Sequence, residues 1–515
     1  MLEKLKNKYL LSFLFGAIAV LGFAPFKLFF FSAAAICGLF VILDKKCTSK
    51  GQFFKVGFAF GFGHFLAGIY WIAISLLVDA GSFGWLIPFA LTLIPSALAC
   101  YVALMALCYG VFVKKFGFDK YWQKFILFSL LWVFFEVLRA VLFTGFPWNL
   151  IGYVWLFNVA PAQIANIFGT FGLSLFFVLA SLSALIWFKK DRVKSDLVYA
   201  LSCIVLVVSQ FAYGYYYIKN NDIGNILDVN LRVVQANIKQ EMKWDAYEKY
   251  NNLLKHIDLS KKDSLDDVDL LIWSESSIPY SLDEENRELL EVLKSITPKN
   301  GNLVSGALRF EFFDRKDFII SKAFNGVALL SKDGIEDFYN KHHLVPFGEY
   351  VPLQKYLPFV QKITHGSTGF SEGEGPQTLS AKKASFSPLV CYEAIFLDKI
   401  IDKNNIPDLL VAVTNDAWFG NSIGPYQHFD TAKMRSIEYG ISLVRAANTG
   451  ISAYVDPFGR VVKEIGLNEE GVLDIKMIKR NEDTLFLRFG HSLFGLVFIG
   501  FAILLVWSRK SKQMK

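Results

Sequence analysis

The stretch SPLVCYE, residues 387–393, runs from an apolar, strand-like segment directly into a cysteine that is followed closely by a glutamate. A side chain at the end of a strand can reach a cleft at the edge of a sheet, so Cys391 is a candidate reactive thiol. Of the six cysteines, Cys391 alone lies in the polar part of the chain. The others fall within or beside apolar segments, where buried thiols behave as small hydrophobes. On this observation alone, a buried core cysteine is an equally good interpretation.

Two other strand-like runs also lead into ionisable residues. The stretch LIWSES, residues 271–276, contains Glu275, and the stretch YNKHHLVPFGE, residues 339–349, contains Lys341. A glutamate, a lysine and a cysteine at separate strand ends can meet on one face of a sheet. Taken singly, each of these residues is more often structural.

Such a trio has a definite chemistry. A thiolate is the nucleophile, a nearby cation lowers the thiol pKa, and a carboxylate in an apolar pocket accepts the proton. A lysine and the backbone N–H after the cysteine can then stabilise the oxyanion of a tetrahedral intermediate. The product is a thioester, and the acceptor that reaches it decides the fate of the acyl group.

The region around these residues has the composition of one soluble α/β domain, which we place at residues 228–485. Short β-rich runs alternate with more polar, helix-like stretches, a pattern typical of sheets covered by helices. The β-rich runs are residues 231–236, 270–273, 302–306, 326–330, 387–391 and 409–413.

The rest of the chain is far more apolar. The whole sequence is 54% hydrophobic and 19% charged, with a mean hydropathy of +0.38, which is too apolar for an ordinary soluble protein. Its uncharged runs predict about eight transmembrane helices at roughly 20 residues per crossing. We place seven of them in a membrane domain at residues 1–220 and one at residues 489–508.

Basic residues in the connecting loops predict the orientation. Alternate connections are rich in Lys and Arg, for example between residues 45 and 55, whereas the opposite connections hold only Lys27. The positive-inside rule then places both termini in the cytoplasm and residues 228–485 outside it. A competing interpretation takes residues 4–35 as a cleaved signal peptide that ends in three alanines.

The charge distribution argues against a nucleic-acid partner. The formal charge is +7 overall, but residues 1–220 and 491–515 together carry 22 Lys and Arg against 7 Asp and Glu. The intervening residues carry 31 Lys and Arg against 39 Asp and Glu. A net acidic domain is poorly suited to binding a phosphate backbone, so we expect no nucleic acid among the partners.

Several motifs in fixed order resemble a known family. They are LGFAP at 21–25, GFPW at 145–148, KWD at 243–245, KHHLVPFGEY at 341–350, CYE at 391–393 and NDAWFG at 415–420. The segments around Glu275, Lys341 and Cys391 resemble the three signature segments of the nitrilase (carbon-nitrogen hydrolase) superfamily. With the polytopic membrane region, the chain resembles the bacterial apolipoprotein N-acyltransferases. One departure is Ser274, where the family segment commonly has proline.

The resemblance implies an αββα sandwich and a ping-pong reaction. Cys391 takes an acyl chain from a phospholipid such as phosphatidylethanolamine, and the α-amine of a diacylglyceryl-cysteine apolipoprotein then removes it as an amide. By the same resemblance Glu275 is the general base, Lys341 stabilises the oxyanion, and Glu349 is a second carboxylate near Lys341. The implied location is the bacterial inner membrane, with the catalytic domain on the periplasmic side.

Further residues are expected to support the site or bind substrate. Tyr392 and Glu393 adjoin the cysteine, and aromatic surface for acyl chains is expected from Trp244, Trp418 and Phe419. The histidines are not spaced like a metal site, and a single cysteine outside the membrane cannot supply a thiolate cluster. We therefore expect no metal and no cofactor, and we expect a monomer.

Two alternatives remain open from the sequence. A membrane-tethered amidase or nitrilase would pass the thioester to water, and a lipid-binding transporter or scaffold would not need Cys391 at all. Within the membrane region, Glu136 and Arg139 lie one helical turn apart, so they are expected to pair with each other.

Overall fold

The structure is a computed structural model. It describes residues 7–189, 192–221, 226–282, 286–314, 319–352, 369–479 and 482–513, with side chains described as far as residue 509. The signal-peptide interpretation of residues 4–35 therefore falls partly outside the described residues.

The described chain is helical at both ends and mixed between them. The helices are α1 Lys8–Ala19, α2 Phe29–Lys46, α3 Lys50–Ile69, α4 Ile72–Ser75, α5 Ala80–Phe83, α6 Ile87–Phe116, α7 Tyr121–Val141, α8 Val159–Ala162, α9 Ala165–Trp187, α10 Lys194–Asn220, α11 Gln240–Lys243, α12 Lys249–Ser260, α13 Arg287–Ile296, α14 Gly424–Tyr439, α15 Leu485–Phe489 and α16 Ser492–Gln513. The strands are β1 Ile226–Gln235, β2 Leu270–Trp273, β3 Asn302–Asp314, β4 Ile319–Ser331, β5 Gly334–Asn340, β6 Leu379–Ser380, β7 Ser385–Val390, β8 Leu409–Thr414, β9 Ser442–Ala447, β10 Ser452–Val455, β11 Val461–Ile465 and β12 Gly471–Ile478.

The apolar part supports some of the predicted crossings. Within the described residues, five helical segments are long and apolar enough to span a membrane. They are Ala80–Phe116, Tyr121–Thr144, Ala165–Trp187, Lys194–Asn220 and Ser492–Arg509. Helix α1 continues into a shorter apolar segment, Lys8–Gly22. The membrane character is therefore clear, whereas the full count of eight crossings remains a prediction.

Glycines allow the first helices to pack closely. A Cβ atom on Gly63 of α3 would lie 2.1 Å from the carbonyl oxygen of Phe13 in α1. A Cβ on Gly61 would lie 2.8 Å from the Cα of Ala99 in α6. Small residues let helix backbones approach to this distance in a membrane, so α3 forms the centre of a tight three-helix group with α1 and α6.

Within the residues that the structure describes, the polar part contains two six-stranded sheets. Their orders are β12-β1-β2-β3-β4-β5 and β11-β10-β9-β8-β7-β6. Apolar side chains from both sheets, such as Ile272 and Val411, form one buried cluster between them. Helices α12 and α13 cover the outer face of the first sheet, and α14 covers that of the second. The expected αββα layering is therefore present.

Helix α14 joins this sandwich to the membrane helices through fully buried polar groups. Arg435 and Glu438 form an ion pair of 2.8 Å, and neither side chain is exposed. The Oε1 of Glu438 accepts hydrogen bonds of 2.7 Å from both the backbone N–H and the hydroxyl of Thr170 in α9. Arg435 also donates to the hydroxyl of Tyr153. The two parts of the chain are thus held in one arrangement.

Glu136 and Arg139 of α7 have separate partners rather than each other. The Oε1 of Glu136 accepts from the backbone N–H of Ile151 at 2.8 Å and from the indole of Trp132 at 3.1 Å. Arg139 donates to the carbonyl oxygens of Phe146 and Trp148, at 2.5 and 2.7 Å. Both side chains therefore hold the loop after α7, and the expected ion pair between them is absent from the described contacts.

Candidate active site

A cavity of about 1020 Å³ lies between the membrane helices and the α/β sandwich. One wall comes from α6 and the segment around α4, including Leu93, Leu98 and Trp71. The opposite wall comes from β3 and β4, including Phe310 and Ile320. The cavity thus has apolar surface from both parts of the chain, as a binding site for an acyl chain requires.

Cys391 opens into this cavity directly after β7. It begins a short helical turn, Cys391–Ile395, with a φ of 52°. A positive φ is uncommon for a residue other than glycine and is held only by its surroundings. Burial raises the pKa of the Cys391 thiol to about 12, with a further contribution from the charge of Glu275, while Lys341 opposes the shift. The thiol therefore needs a base in order to react at neutral pH.

Glu275 and Lys341 also line the cavity, each after the end of its strand. Glu275 follows β2 and is 7% exposed, and Lys341 follows β5 and is 1% exposed. The Nζ of Lys341 lies 2.9 and 2.8 Å from the two carboxylate oxygens of Glu349. Burial alone would lower the pKa of Lys341, but the charges of Glu349 and Glu275 raise it above its ordinary value. Lys341 is therefore a permanent cation in the site.

Asn325 connects the two carboxylates. Its Nδ2 donates to Glu275 Oε1 at 2.8 Å and to Glu349 Oε1 at 3.1 Å. The Oε2 of Glu349 in turn accepts from the backbone N–H of Val345. These bonds hold Glu275 and the pair Lys341–Glu349 in one buried network.

Glu393 does not line the cavity but supports the segments that carry Cys391 and Lys341. Its Oε1 accepts from the backbone N–H groups of His342 and His343 and from the hydroxyl of Tyr339, and its Oε2 accepts from Val390. Burial alone would raise its pKa, but hydrogen bonding and charge from His342 and Lys341 lower it. Glu393 therefore ties the turn that carries Cys391 to the segment that carries Lys341.

The expected aromatic residues contact the cavity. Trp244, Trp418, Phe419 and Tyr392 all line it. The ring of Phe419 packs 4.4 Å from that of Trp71, which belongs to the membrane part. The hydroxyl of Tyr392 donates to the carbonyl oxygen of Gly145 in the loop after α7. Aromatic contacts therefore join the membrane part to the α/β sandwich next to the Cys391 thiol.

Asn325 and Lys243 belong to the site but were not predicted from the sequence. Asn325 lies within β4 and belongs to no motif that marks it. Lys243 lies in the recognised stretch KWD but was not assigned a place in the site. It lines the cavity, is 5% exposed, and donates to the backbone carbonyl of Glu275 at 2.7 Å. Burial lowers the pKa of Lys243 to about 8, although Glu275 and Cys391 oppose this.

Comparison with known proteins identifies the family. Residues 15–183 match the family described as "Apolipoprotein N-acyltransferase N-terminal domain", and residues 230–479 match the "Carbon-nitrogen hydrolase" family. The apolipoprotein N-acyltransferase of Rickettsia typhi is 38% identical over 95% of this chain and 96% of its own length. That of Rickettsia bellii is 39% identical over 96% of each chain.

The chain belongs to the apolipoprotein N-acyltransferase family. The resemblance inferred from its motifs is confirmed, as is the expectation of an N-acyltransferase enzyme with a nitrilase-like domain. Membership of the apolipoprotein N-acyltransferases and the apolar helices make it an inner-membrane protein with lipoprotein and lipid substrates. Among solved structures, an amidase from Nesterenkonia sp. is 17% identical, with 54% of this chain and 98% of that chain covered and a TM-score of 0.36.

The low pKa of Lys243 gives this N-acyltransferase a testable pH dependence. Lys243 binds its proton less tightly in the folded protein, with a pKa of about 8, than in the unfolded chain, where the ordinary value is 10.5. The unfolded state therefore binds more protons between these values, so this residue makes stability rise with pH across that interval. Thermal unfolding in detergent should show wild type gaining stability relative to Lys243→Met from about pH 8 to 10.

The exposed neighbour Lys239 offers the matched control. Lys239→Met makes the same chemical change outside the cavity lining, so it shows how much of any difference comes from loss of a lysine as such. Parallel pH curves for wild type and Lys243→Met would contradict the assigned pKa.

Proposed function

We propose that this enzyme transfers an acyl chain from a phospholipid, through a thioester on Cys391, to the α-amine of a diacylglyceryl-cysteine apolipoprotein. Phosphatidylethanolamine is the proposed donor. One observation carries the assignment of the residues: Cys391, Glu275 and Lys341 open together into an apolar cavity walled partly by a candidate membrane helix. A soluble amide substrate does not require such a wall.

In the first half-reaction, Glu275 accepts the proton of the Cys391 thiol as Sγ attacks the ester carbonyl carbon of the phospholipid. The raised pKa of the thiol favours this coupled transfer over a preformed thiolate. Lys341 and the backbone N–H of Tyr392 stabilise the oxyanion. The ester C–O bond then breaks, and the lysophospholipid leaves with the proton held by Glu275.

In the second half-reaction, the neutral α-amine of the apolipoprotein attacks the thioester carbon. Glu275 accepts a proton from the attacking nitrogen, the C–S bond breaks, and Sγ recovers that proton. The new bond is an amide, and the enzyme returns to its starting state. Water must be kept from the thioester between the two steps, and the apolar aromatic lining formed by Trp71, Trp244 and Phe419 supports that exclusion.

The membrane arrangement forms part of the proposal. We propose a membrane domain at residues 1–220 with seven crossings, a catalytic domain at residues 228–485 on the periplasmic side, and an eighth crossing at residues 489–508, in a monomer. The distribution of Lys and Arg among the loops supports this orientation. Five described helices meet the length and apolarity of a crossing.

Incubation of the purified enzyme with phosphatidylethanolamine alone tests the chemistry. Mass spectrometry should find a hydroxylamine-sensitive acyl adduct on Cys391, with one lysophospholipid released per adduct. A diacylated lipopeptide should then discharge the adduct and gain an amide-linked chain. Lipopeptide acylation without any adduct on Cys391 would overturn the thioester mechanism, and rapid transfer to water in preference to the amine would favour an amidase.

A further inference from the structure

A buried polar cluster lies behind Cys391, on the side away from the cavity. It contains His428 at the start of α14, Asp416 after β8, and Arg445 in β9. Their exposed fractions are 1%, 1% and 0%. None of the three lines the cavity, so none touches the substrate in the proposed reaction.

The cluster contacts the nucleophile through its backbone. The Nε2 of His428 lies 3.1 Å from the carbonyl oxygen of Cys391. A carbonyl oxygen can only accept a hydrogen bond, so Nε2 carries the proton and donates it. The other ring nitrogen, Nδ1, lies 3.0 Å from Asp416 Oδ1 and 3.2 Å from Arg445 Nη2.

Asp416 and Arg445 fix the imidazole ring. Arg445 donates to Asp416 Oδ2 at 2.5 Å, and the hydroxyl of Thr414 donates to Asp416 Oδ1 at 3.1 Å. The ring also packs beside Trp148 and Phe419, with centroids 5.8 and 5.6 Å away. The direction in which Nε2 points is therefore set from several sides.

The hydrogen bond from His428 to the carbonyl of Cys391 also determines where a neighbouring backbone N–H points. In a trans peptide unit the C=O and N–H are coplanar and point to opposite sides. When His428 holds the carbonyl of Cys391, it also fixes the N–H of Tyr392, which points the other way. This N–H lies in the first turn of the short helix Cys391–Ile395, where backbone donors have no partner within the helix. It is the donor that the proposed reaction uses for the oxyanion.

We infer that His428, held by Asp416 and Arg445, is a positioning residue that orients the Cys391–Tyr392 peptide unit and so aims its N–H at the oxyanion. The inference rests on the proposed function. It explains why Cys391 keeps a φ of 52°, since a fixed donor, the Nε2–H of His428, holds the turn in that conformation. It also predicts that acyl-adduct formation and thiol reactivity can change separately, because thiol reactivity does not require an oxyanion donor.

Two variants with the same amide group test the inference. His428→Gln can place its side-chain N–H near the position of Nε2, whereas His428→Asn is one methylene too short to reach Cys391 O. The rate of acyl-adduct formation from phosphatidylethanolamine should fall about 10²-fold in His428→Asn and remain within about tenfold of wild type in His428→Gln.

The rate at which iodoacetamide alkylates Cys391 distinguishes a positioning role of His428 from a purely structural one. A structural role would change alkylation and acylation together. This displacement at a saturated carbon forms no oxyanion, so its rate at Cys391, followed by peptide mass mapping, should change by less than about threefold in either variant. His256→Asn is the matched control, because His256 is also buried and contacts a backbone carbonyl, that of Asn252, away from the cavity. It should leave both rates unchanged.

The outcomes are distinguishable. Equal acylation rates in wild type and His428→Asn overturn the inference alone. An equal loss of acylation and alkylation also overturns it, because His428 would then support the fold and not the oxyanion donor. A wild-type enzyme that transfers acyl chains with no adduct on Cys391 overturns the proposed mechanism, and with it the inference.

Discussion

Cys391→Ser is expected to lose acyl transfer by at least about 10³-fold and to form no thioester. A serine hydroxyl is a weaker acid than a thiol and a poorer nucleophile when the base is a carboxylate. The site already raises the pKa of the thiol to about 12. It therefore does not favour ionisation at this position, and a serine hydroxyl ionises even less readily than a thiol. The measurement is transfer of a labelled acyl chain from phosphatidylethanolamine to a diacylated lipopeptide.

Cys203→Ser provides the matched control for this loss. Cys203 is also buried, but it lies in α10 within the membrane part and away from the cavity. Its replacement makes the same chemical change and should leave transfer close to wild type. Retained transfer in Cys391→Ser would remove the thioester on Cys391 from the mechanism, whereas no transfer by either wild type or variant would favour a scaffold or transporter.

Lys341→Met is expected to lose both activity and stability. Removing an oxyanion stabiliser costs about 10²- to 10³-fold in turnover. The same change leaves Glu349, which is 5% exposed, as a buried carboxylate without its cation. Breaking a buried pair on one side costs about 3–5 kcal/mol. Transfer assays and thermal unfolding in detergent measure the two losses separately.

The double variant Lys341→Met/Glu349→Gln separates catalysis from folding. Removing both charges should restore much of the unfolding temperature, because no unpaired charge remains and Asn325 can still bond to the amide oxygen at position 349. Acyl transfer should stay low, since the cation is still missing. Recovery of transfer together with stability would show that Lys341 is only structural, and the proposed oxyanion role would be wrong.

The sequence predicted the part of the site that local patterns encode. The six predicted β-rich runs all lie in or overlap observed strands, because short apolar segments between polar ones decide strand positions. Glu275 follows one of these runs, Cys391 ends another, and Lys341 follows β5, which was not among the six; the structure brings all three to one cavity. Their catalytic roles remain predictions.

The residues that the sequence did not predict act through distant partners. Asn325 bonds to Glu275 fifty positions away, and His428 reaches Cys391 O from a separate helix. Neither lies in a repeat, a run or a charge pattern that marks it. The count of eight crossings remains a prediction: α2 ends in Asp44, Lys45 and Lys46, and α3 carries Lys50 and Lys55. Charges at helix ends weaken the hydropathy of segments this short.

Helix α14 has a consequence for which part of a lipid can react. Its N-terminal part carries His428, which holds the carbonyl of Cys391, and Arg435 lies seven residues later, against Tyr153 and Thr170 of the membrane part. That separation is about 10 Å along a rigid helix axis, so the thiol stands at a constant height relative to α9. In the proposed reaction, the ester of the donor must come to this height. Lipids that differ in tail length then place their ester carbonyls at the same point and differ only in how much chain remains below it.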